Sequence, residues 1–132
     1  MTDTVRKDVQ DKLARGLYNC PKELTLSMFN GKWKINILYH LGQEGRYYFG
    51  ELQRLLPKAS HKEIAEKLKE LVNDALVTRT VETGAPVKVA YALTPLGESL
   101  MPIINAMYDW GVNRLAQLQD QPVTFGLGQT KK

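Results

Sequence analysis

The stretch from Lys58 to Asn73 constrains the fold more than any other, because it has the pattern of a firmly capped amphipathic helix. Ser60 and Glu63 have the spacing of a capping box, in which each side chain accepts a hydrogen bond from the backbone NH of the other residue. Apolar side chains then recur on one helical face, at Ile64, Leu68, Leu71 and Val72. The opposite face is polar, so the sequence predicts a helix with one buried and one free side.

A second helix is predicted directly before this one. Residues 50–56 have a helical pattern that Pro57 ends, and Lys58-Ala59 form a tight link to the capped helix. This is the spacing of a helix-turn-helix. A capped helix with basic residues near its start suits insertion into the major groove of DNA, whereas the plain alternative is an ordinary surface helix.

The segment after the capped helix changes its hydrophobic period from 3.6 to 2. Leu76 to Val81 is predicted as a strand, residues 82–86 as a turn, and residues 87–93 as a second strand. A two-stranded hairpin directly after a helix-turn-helix is a wing. Thr94-Pro95 then caps a long apolar helix, in which Pro102 predicts a kink or a late start.

The first 50 residues are predicted to be mainly helical. Residues 4–18 carry a narrow apolar stripe, and Cys20-Pro21 places Cys20 at the N-cap of a helix that runs to Phe29. Residues 32–41 form a third helix, with Gly42 as its C-cap. Residues 46–49 are strand-like at most.

Composition limits the classes of protein to which the chain can belong. Its 132 residues suit one globular domain, and a net charge of +4 permits a polyanionic partner without requiring one. Residues 58–100 hold six basic and six acidic residues, so any binding to nucleic acid depends on where the charges point. The single cysteine excludes an intrachain disulfide framework. No apolar run is long enough to span a membrane and no secretory signal is found, so an intracellular protein without membrane contact is expected.

Taken in order, these segments resemble a known family. The resemblance rests on Cys20-Pro21, Gly31-Lys32-Trp33-Lys34, Ile37-Leu38, Phe49, Glu51-Leu52, Ser60, Leu68-Lys69-Glu70-Leu71, Leu76-Val77, Arg79, Pro86, Val89, Tyr91, Leu93-Thr94, Gly97 and Trp110-Gly111. This combination is similar to that of the HxlR-type winged helix-turn-helix regulators, bacterial relatives of the MarR regulators. The chain departs from the family pattern at several positions; for example, Ala75 stands where the family has a glycine that opens the first wing strand.

The resemblance implies a cytoplasmic, homodimeric transcription factor whose paired recognition helices bind an inverted repeat in promoter DNA. The expected fold is therefore α+β and mainly helical, a winged helix-turn-helix with dimerisation helices at both ends. Residues 1–120 would form this single domain, and residues 121–132 a flexible tail.

The predicted DNA-binding residues lie on the capped helix and the wing. They are Ser60, His61, Lys62, Glu66, Lys69, Arg79 and Lys88. Lysine gives point-charge contacts to guanine or phosphate, and Glu66 either accepts from a cytosine amino group or stays in solvent. Arg79 shares strand parity with apolar neighbours, so half-burial with an internal partner is its alternative.

Cys20 is predicted either to sense oxidants and electrophiles or to serve only as a helix cap. An N-cap thiolate faces the free NH groups and the positive end of the helix dipole, and Lys22 adds positive charge. Family members with cysteine at this position include sensors of electrophiles, quinones and oxidants. The alternative effector is an aromatic ligand bound in a pocket between subunits. The aromatic side chains that could line such a pocket could instead serve only in core and dimer packing; they are Trp33, Tyr39, Tyr47, Tyr48, Tyr91 and Trp110.

No catalytic constellation, cofactor motif or metal site is found in the sequence. Two histidines, distant from paired acidic ligands, are too few for a metal site. A thiol enzyme using Cys20 lacks a second cysteine or an obvious histidine base. The remaining alternative to a DNA-binding regulator is a winged-helix module that contacts a protein.

Overall fold

The computed structural model describes residues 4–118, which form seven helices and three strands. The elements in chain order are α1 (Lys7–Ala14), α2 (Pro21–Phe29), α3 (Lys34–Glu44), β1 (Tyr47–Tyr48), α4 (Phe49–Leu55), α5 (His61–Asn73), β2 (Val77–Glu82), β3 (Lys88–Leu93), α6 (Pro95–Ser99) and α7 (Met101–Leu118). The fold is mainly helical with a small antiparallel sheet, and it is a winged helix-turn-helix as predicted. The predicted flexible tail, residues 121–132, lies outside the described residues.

Most of the helix starts lie where the sequence places them. Cys20 is the N-cap of α2 with Pro21 at the first helical position, and Ser60 is the N-cap of α5. The predicted end of α3 at Gly42 is wrong, because the helix continues to Glu44 and ends at Gly45. Gly45 has a φ of 100°, a conformation that glycine adopts without a steric penalty.

The sheet has three strands in the order β1-β3-β2, where the sequence predicted a two-stranded hairpin. Tyr47 pairs with Tyr91, and Val77 pairs with Leu93 at the far edge. β1 contains only two residues, which is too short to show a strand period in the sequence. Its pairing with β3 attaches the wing to the start of α4.

Helix α5 ends in a Schellman motif. The NH of Leu76 donates to the carbonyl of Leu71 at 3.0 Å, and the NH of Ala75 donates to that of Val72 at 3.0 Å. Ala75 has a φ of 61°, in the left-handed region that this motif requires and that glycine usually occupies. The motif turns the chain directly from the helix into β2.

The C-terminal helical segment is divided by a break at Leu100. Thr94 caps α6 by accepting from the NH of Gly97 at 2.9 Å, and α7 starts at Met101 with Pro102 in its first turn. The late start predicted from Pro102 is thus confirmed. A Cβ atom at Gly97 would overlap the carbonyl oxygen of Leu76, so this glycine permits close packing of α6 on the start of β2.

The hydrophobic core joins α3, α4, α5 and the inner side of the sheet. Its fully enclosed members include Ile37, Leu38, Leu52, Ile64 and Leu71. Val9 and Ile104, from the predicted dimerisation helices, are also buried in this core and so do not need a partner subunit. Among the described residues, no helix is both long and apolar enough to cross a membrane.

Candidate nucleic-acid interface

The start of α5 is held in place by its capping box and by α3. The NH of Glu63 donates to the Ser60 hydroxyl at 3.0 Å, and the NH of Ser60 donates to Oε1 of Glu63 at 2.9 Å. The indole NH of Trp33 donates to Oε2 of the same carboxylate at 3.2 Å. The hydrogen bonds from Ser60 and Trp33 lower the pKa of Glu63. Glu63 therefore has a structural role, because its hydrogen bonds fix the position of the first turn of α5.

The residues predicted to bind DNA are all exposed. This holds for Ser60, His61, Lys62, Glu66, Lys69, Arg79 and Lys88. Nζ of Lys62 lies 3.9 Å from Oε1 of Glu66, one helical turn away. The ring of His61 packs against that of Phe49 at 4.6 Å, which links the exposed start of α5 to the start of α4. No group of three or more potential metal ligands occurs among residues 4–118.

Helix α5 and the wing enclose a groove of about 230 Å³. Lys69 and Asn73 line it from the helix, and Arg79 and Tyr91 line it from the sheet. Arg79 is exposed here, which is contrary to the half-buried alternative. The structure thus brings Lys69 and Arg79 to one groove, although ten residues separate them in the sequence.

Lys88 lies in a second groove of about 500 Å³, between α4 and the wing. Its Nζ is 5.0 Å from the centroid of the Tyr48 ring, a cation–π arrangement. Arg54 lines the same groove and was not predicted from the sequence. Its position in the last turn of a short helix gave no sign that it would face the wing.

The turn end of the wing carries a polar cluster that the sequence also did not reveal. The hydroxyl of Tyr48 donates to Oε1 of Glu82 at 2.7 Å, and Arg46 forms an ion pair with the same carboxylate. The guanidinium carbon of Arg46 lies 5.1 Å from the Tyr48 ring centroid. These contacts join β1 to β2 across 34 to 36 residues of sequence.

Most of the acidic residues of α5 and the wing are paired with other side chains of the protein. Glu70 lies 2.6 Å from Nζ of the buried Lys34, and Asp74 is fully buried in an ion pair with Arg6. Burial opposes ionisation of Glu70, but the hydrogen bond and charge of Lys34 outweigh it, so the pKa of Glu70 is lowered. With Glu63 and Glu82, four of the six acidic residues of segment 58–100 are thus held by internal partners. The equal charge totals therefore conceal an exposed basic surface.

Cys20 lies away from this surface, at the N-terminus of α2. Its side chain is partly exposed, and Nζ of Lys22 lies 3.0 Å from its Sγ. No hydrogen bond from the side chain of Cys20 caps the helix. The ammonium group of Lys22 is thus a polar neighbour of the Cys20 sulfur.

The aromatic residues considered for a ligand pocket lie in separate places. Trp33, Tyr47 and Tyr91 are buried in the core, and Tyr48 lies beside the turn end of the wing. Tyr39 stacks on Tyr108 of α7 at 5.1 Å, and Trp110 on α7 is 70% exposed. Core packing thus accounts for three of them.

Helix α7 exposes a large apolar surface. Its exposed apolar side chains are Ile103, Met107, Tyr108, Trp110, Val112 and Leu118. Leu13 and Leu17, at the end of α1 and just after it, are each 49% exposed. Exposed apolar patches of this extent are typical of protein–protein contacts.

Residues 28–119 match the family described as HxlR-like helix-turn-helix. The HTH-type transcriptional regulator YdzF of Bacillus subtilis is 46% identical over 92 residues, which are 70% of this chain and 84% of that protein. The redox regulator HypR in its reduced form is 35% identical with a TM-score of 0.72, over 77% of this chain and 100% of that one. Diamide-treated YodB from B. subtilis is 33% identical with a TM-score of 0.59, over 77% and 97% of the two chains.

Proposed function

Because the chain belongs to the HxlR-like helix-turn-helix family and is a transcriptional regulator with this DNA-binding fold, we propose that it binds inverted-repeat promoter DNA as a homodimer. The observation that carries the proposal is the separation of charge around α5. Glu63, Glu70 and Asp74 are held by internal partners, whereas Lys62, Lys69 and Arg79 face solvent. A regulator that binds promoter DNA must be in the same compartment as that DNA, so the proposal includes a cytoplasmic location.

In the proposed complex, the first turn of α5 enters the major groove. Lys62 and Glu66 contact base edges together with His61, and Ser60 fixes the helix start. Lys69 and Arg79 contact phosphates along the groove between helix and wing, and Lys88 contacts the backbone from the far side of the wing.

Dimerisation is supported by the exposed apolar side of α7. Met107, Tyr108 and Trp110 are each at least 45% exposed in the isolated chain. A two-fold axis formed through α7 and the end of α1 places the two recognition helices about one turn of DNA apart.

The experiment that tests this proposal is selection of bound sequences from a random duplex pool, with sedimentation of the free protein. We expect an inverted repeat with half-sites about 10 base pairs apart, and a dimer at micromolar concentration. Binding to random duplex should fall steeply with salt, since phosphate contacts release counterions. A monomer, or no selected sequence, contradicts the proposal. The alternative of a winged-helix module for protein contacts predicts no such salt dependence.

We further propose that Cys20 makes the regulator responsive to oxidants or electrophiles. Support comes from the 3.0 Å contact between Lys22 and Cys20 and from the resemblance to HypR, which is described as a redox regulator. With one cysteine per chain, the modification is alkylation, a mixed disulfide with a small thiol, or a disulfide between the two copies of Cys20 in the dimer. An aromatic ligand as effector remains the second candidate, supported by the exposed Tyr108 and Trp110 of α7.

A further inference from the structure

Arg6 joins three parts of the chain that are distant in sequence. Its backbone NH donates to Oδ1 of Asp74 at 2.8 Å, and its guanidinium pairs with Oδ2 of the same carboxylate. A second guanidinium nitrogen donates to the carbonyl of Ser27 at 3.0 Å, and Nε lies 3.0 Å from Asp8. The side chain of Arg6 is only 13% exposed and both Asp74 and Ser27 are buried, so the contacts of Arg6 with these two residues are shielded from water.

The Asp74 end of this arrangement fixes where the recognition helix stops. Asp74 is the C-cap of α5 and is fully buried, at the negative end of the helix dipole. A buried carboxylate there is unfavourable without a cation and hydrogen bonds, and Arg6 supplies both. Burial alone would lower the pKa of Arg6, but Asp74 raises it above its ordinary value. Ala75 and Leu76 follow at once, so the same contact fixes the start of the wing.

The Ser27 end of the arrangement belongs to α2, the helix that begins at Cys20. The Ser27 hydroxyl donates to the carbonyl of Glu23 at 3.1 Å and lies 2.8 Å from the hydroxyl of Tyr18. The NH of Glu23 donates to the carbonyl of Cys20 at 3.0 Å. A continuous set of hydrogen bonds therefore runs from the start of α2 through Arg6 to the end of α5.

We propose that Arg6 is a positioning residue for DNA binding, which holds the end of the recognition helix and the start of the wing in register with α2. The inference rests on the proposed function, because it concerns the affinity for operator DNA. Arg6 does not touch DNA in this arrangement. It sets the placement of the groove-lining side chains Lys69 and Arg79 relative to each other, since one lies before and the other after the clamped turn.

The test uses Arg6→Lys, which keeps the charge and an ion pair with Asp74 but cannot reproduce the forked contact with both Asp74 and Ser27. Arg15→Lys is the matched control, because Arg15 is exposed at the end of the same helix. At a low temperature at which circular dichroism confirms that it is folded, we expect Arg6→Lys to bind the selected operator about tenfold more weakly. Random duplex should also bind more weakly, because Lys69 and Arg79 are assigned to phosphates. We also expect faster hydrogen exchange in residues 71–77 of this variant alone.

Wild-type operator affinity in folded Arg6→Lys overturns the inference. If Arg6→Lys does not fold, Asp74→Asn is tested in its place. This substitution removes one of the two oxygens that accept from Arg6 and hardly changes the shape of the side chain. Unchanged operator affinity in folded Asp74→Asn also overturns the inference. Failure of the wild-type protein to select any sequence is a different result, which refutes the proposed function itself. Equal weakening by Arg15→Lys also overturns the specific role of Arg6.

Discussion

The indole nitrogen of Trp33 lies 3.2 Å from the carboxylate of Glu63, so one side chain both closes the start of the recognition helix and ties that helix to α3. Glu63 accepts from Ser60 with one oxygen and from Trp33 with the other. The position of the first turn of α5 thus depends on a residue that is not itself placed on the DNA-facing surface.

Replacing Glu63 by alanine should lower the free energy of unfolding, because the NH groups of Ser60 and Trp33 both lose their acceptor. Glu66→Ala is the control on the same helix, because Glu66 is exposed and its ion pair with the exposed Lys62, at 3.9 Å, is a weak surface contact. Urea denaturation of both variants measures the difference. Equal unfolding free energies in the two variants would contradict the role assigned to Glu63.

Stability should fall as the pH drops below about 4.5, the ordinary pKa of glutamate. The folded-state pKa of Glu70 is lowered, so its contribution is complete above 4.5 and is lost as the pH falls through the lowered value. Glu70→Gln should be less stable than wild type at pH 7, because it leaves the buried Lys34 without its carboxylate. The difference should shrink as the pH falls below 4.5 and through the lowered pKa of Glu70. Thermal unfolding of both proteins at several pH values measures this difference. A difference in stability between wild type and Glu70→Gln that does not change with pH argues against the role assigned to Glu70.

Lys62→Ala should weaken binding to the selected operator by about 1–3 kcal/mol and relax the preference at one position per half-site. Lys88→Ala should instead weaken all duplexes similarly and reduce the salt slope by about one, because it contacts phosphate. Fluorescence anisotropy at several salt concentrations distinguishes the two effects. Wild-type affinity in both variants would show that the DNA surface is wrongly assigned.

Treatment with diamide or a quinone should change operator binding by the wild-type protein and leave Cys20→Ser unaffected. Cys20 is partly exposed and in contact with Lys22, and its modification adds bulk at the start of α2. Gel-shift titration before and after treatment measures the change. Identical responses in the two proteins, or no response in either, remove the sensing role.

Ala75→Gly should stabilise the protein by about 0.5–1 kcal/mol. The left-handed conformation costs alanine roughly 1–2 kcal/mol, which exceeds the roughly 0.4–1 kcal/mol that glycine loses through the flexibility of the unfolded chain. Ala65→Gly, within the same helix, should have the opposite sign and cost about 1 kcal/mol. Chemical denaturation of the two variants provides the comparison, and destabilisation by Ala75→Gly would contradict the strain at this position.

Local signals in the sequence were sufficient to predict most of the secondary structure. The caps at Ser60 and Thr94 and the proline at the first position of α2 act on the residues directly after them, so their effect is visible without knowledge of the fold. The error at Gly42 arose because either of two glycines could end α3, and only the backbone conformation shows that Gly45 does. β1 is defined by its partner strand and has no pattern of its own.

The long-range polar contacts were not predictable from the sequence. Arg6 and Asp74 are 68 residues apart, and Trp33 and Glu63 are 30 apart. Nothing in the local pattern distinguishes the buried Lys34, which is paired with Glu70, from the exposed Lys62. The candidate DNA-binding residues were named from helix position and family resemblance, whereas the engagement of the acidic residues by internal partners required the fold.

The two tryptophans of this chain lie in opposite environments, and this makes them separate optical reporters. Trp33 is 5% exposed and bonded to the recognition helix, whereas Trp110 is 70% exposed on the apolar side of α7. In Trp110→Phe, the remaining emission follows the anchoring of the recognition helix. In Trp33→Phe, the remaining emission comes from Trp110 and reports whether the apolar side of α7 is buried. We expect this emission to shift to the blue when two chains associate and to shift back on dilution. Intrinsic fluorescence can therefore follow assembly and helix placement independently in unlabelled protein.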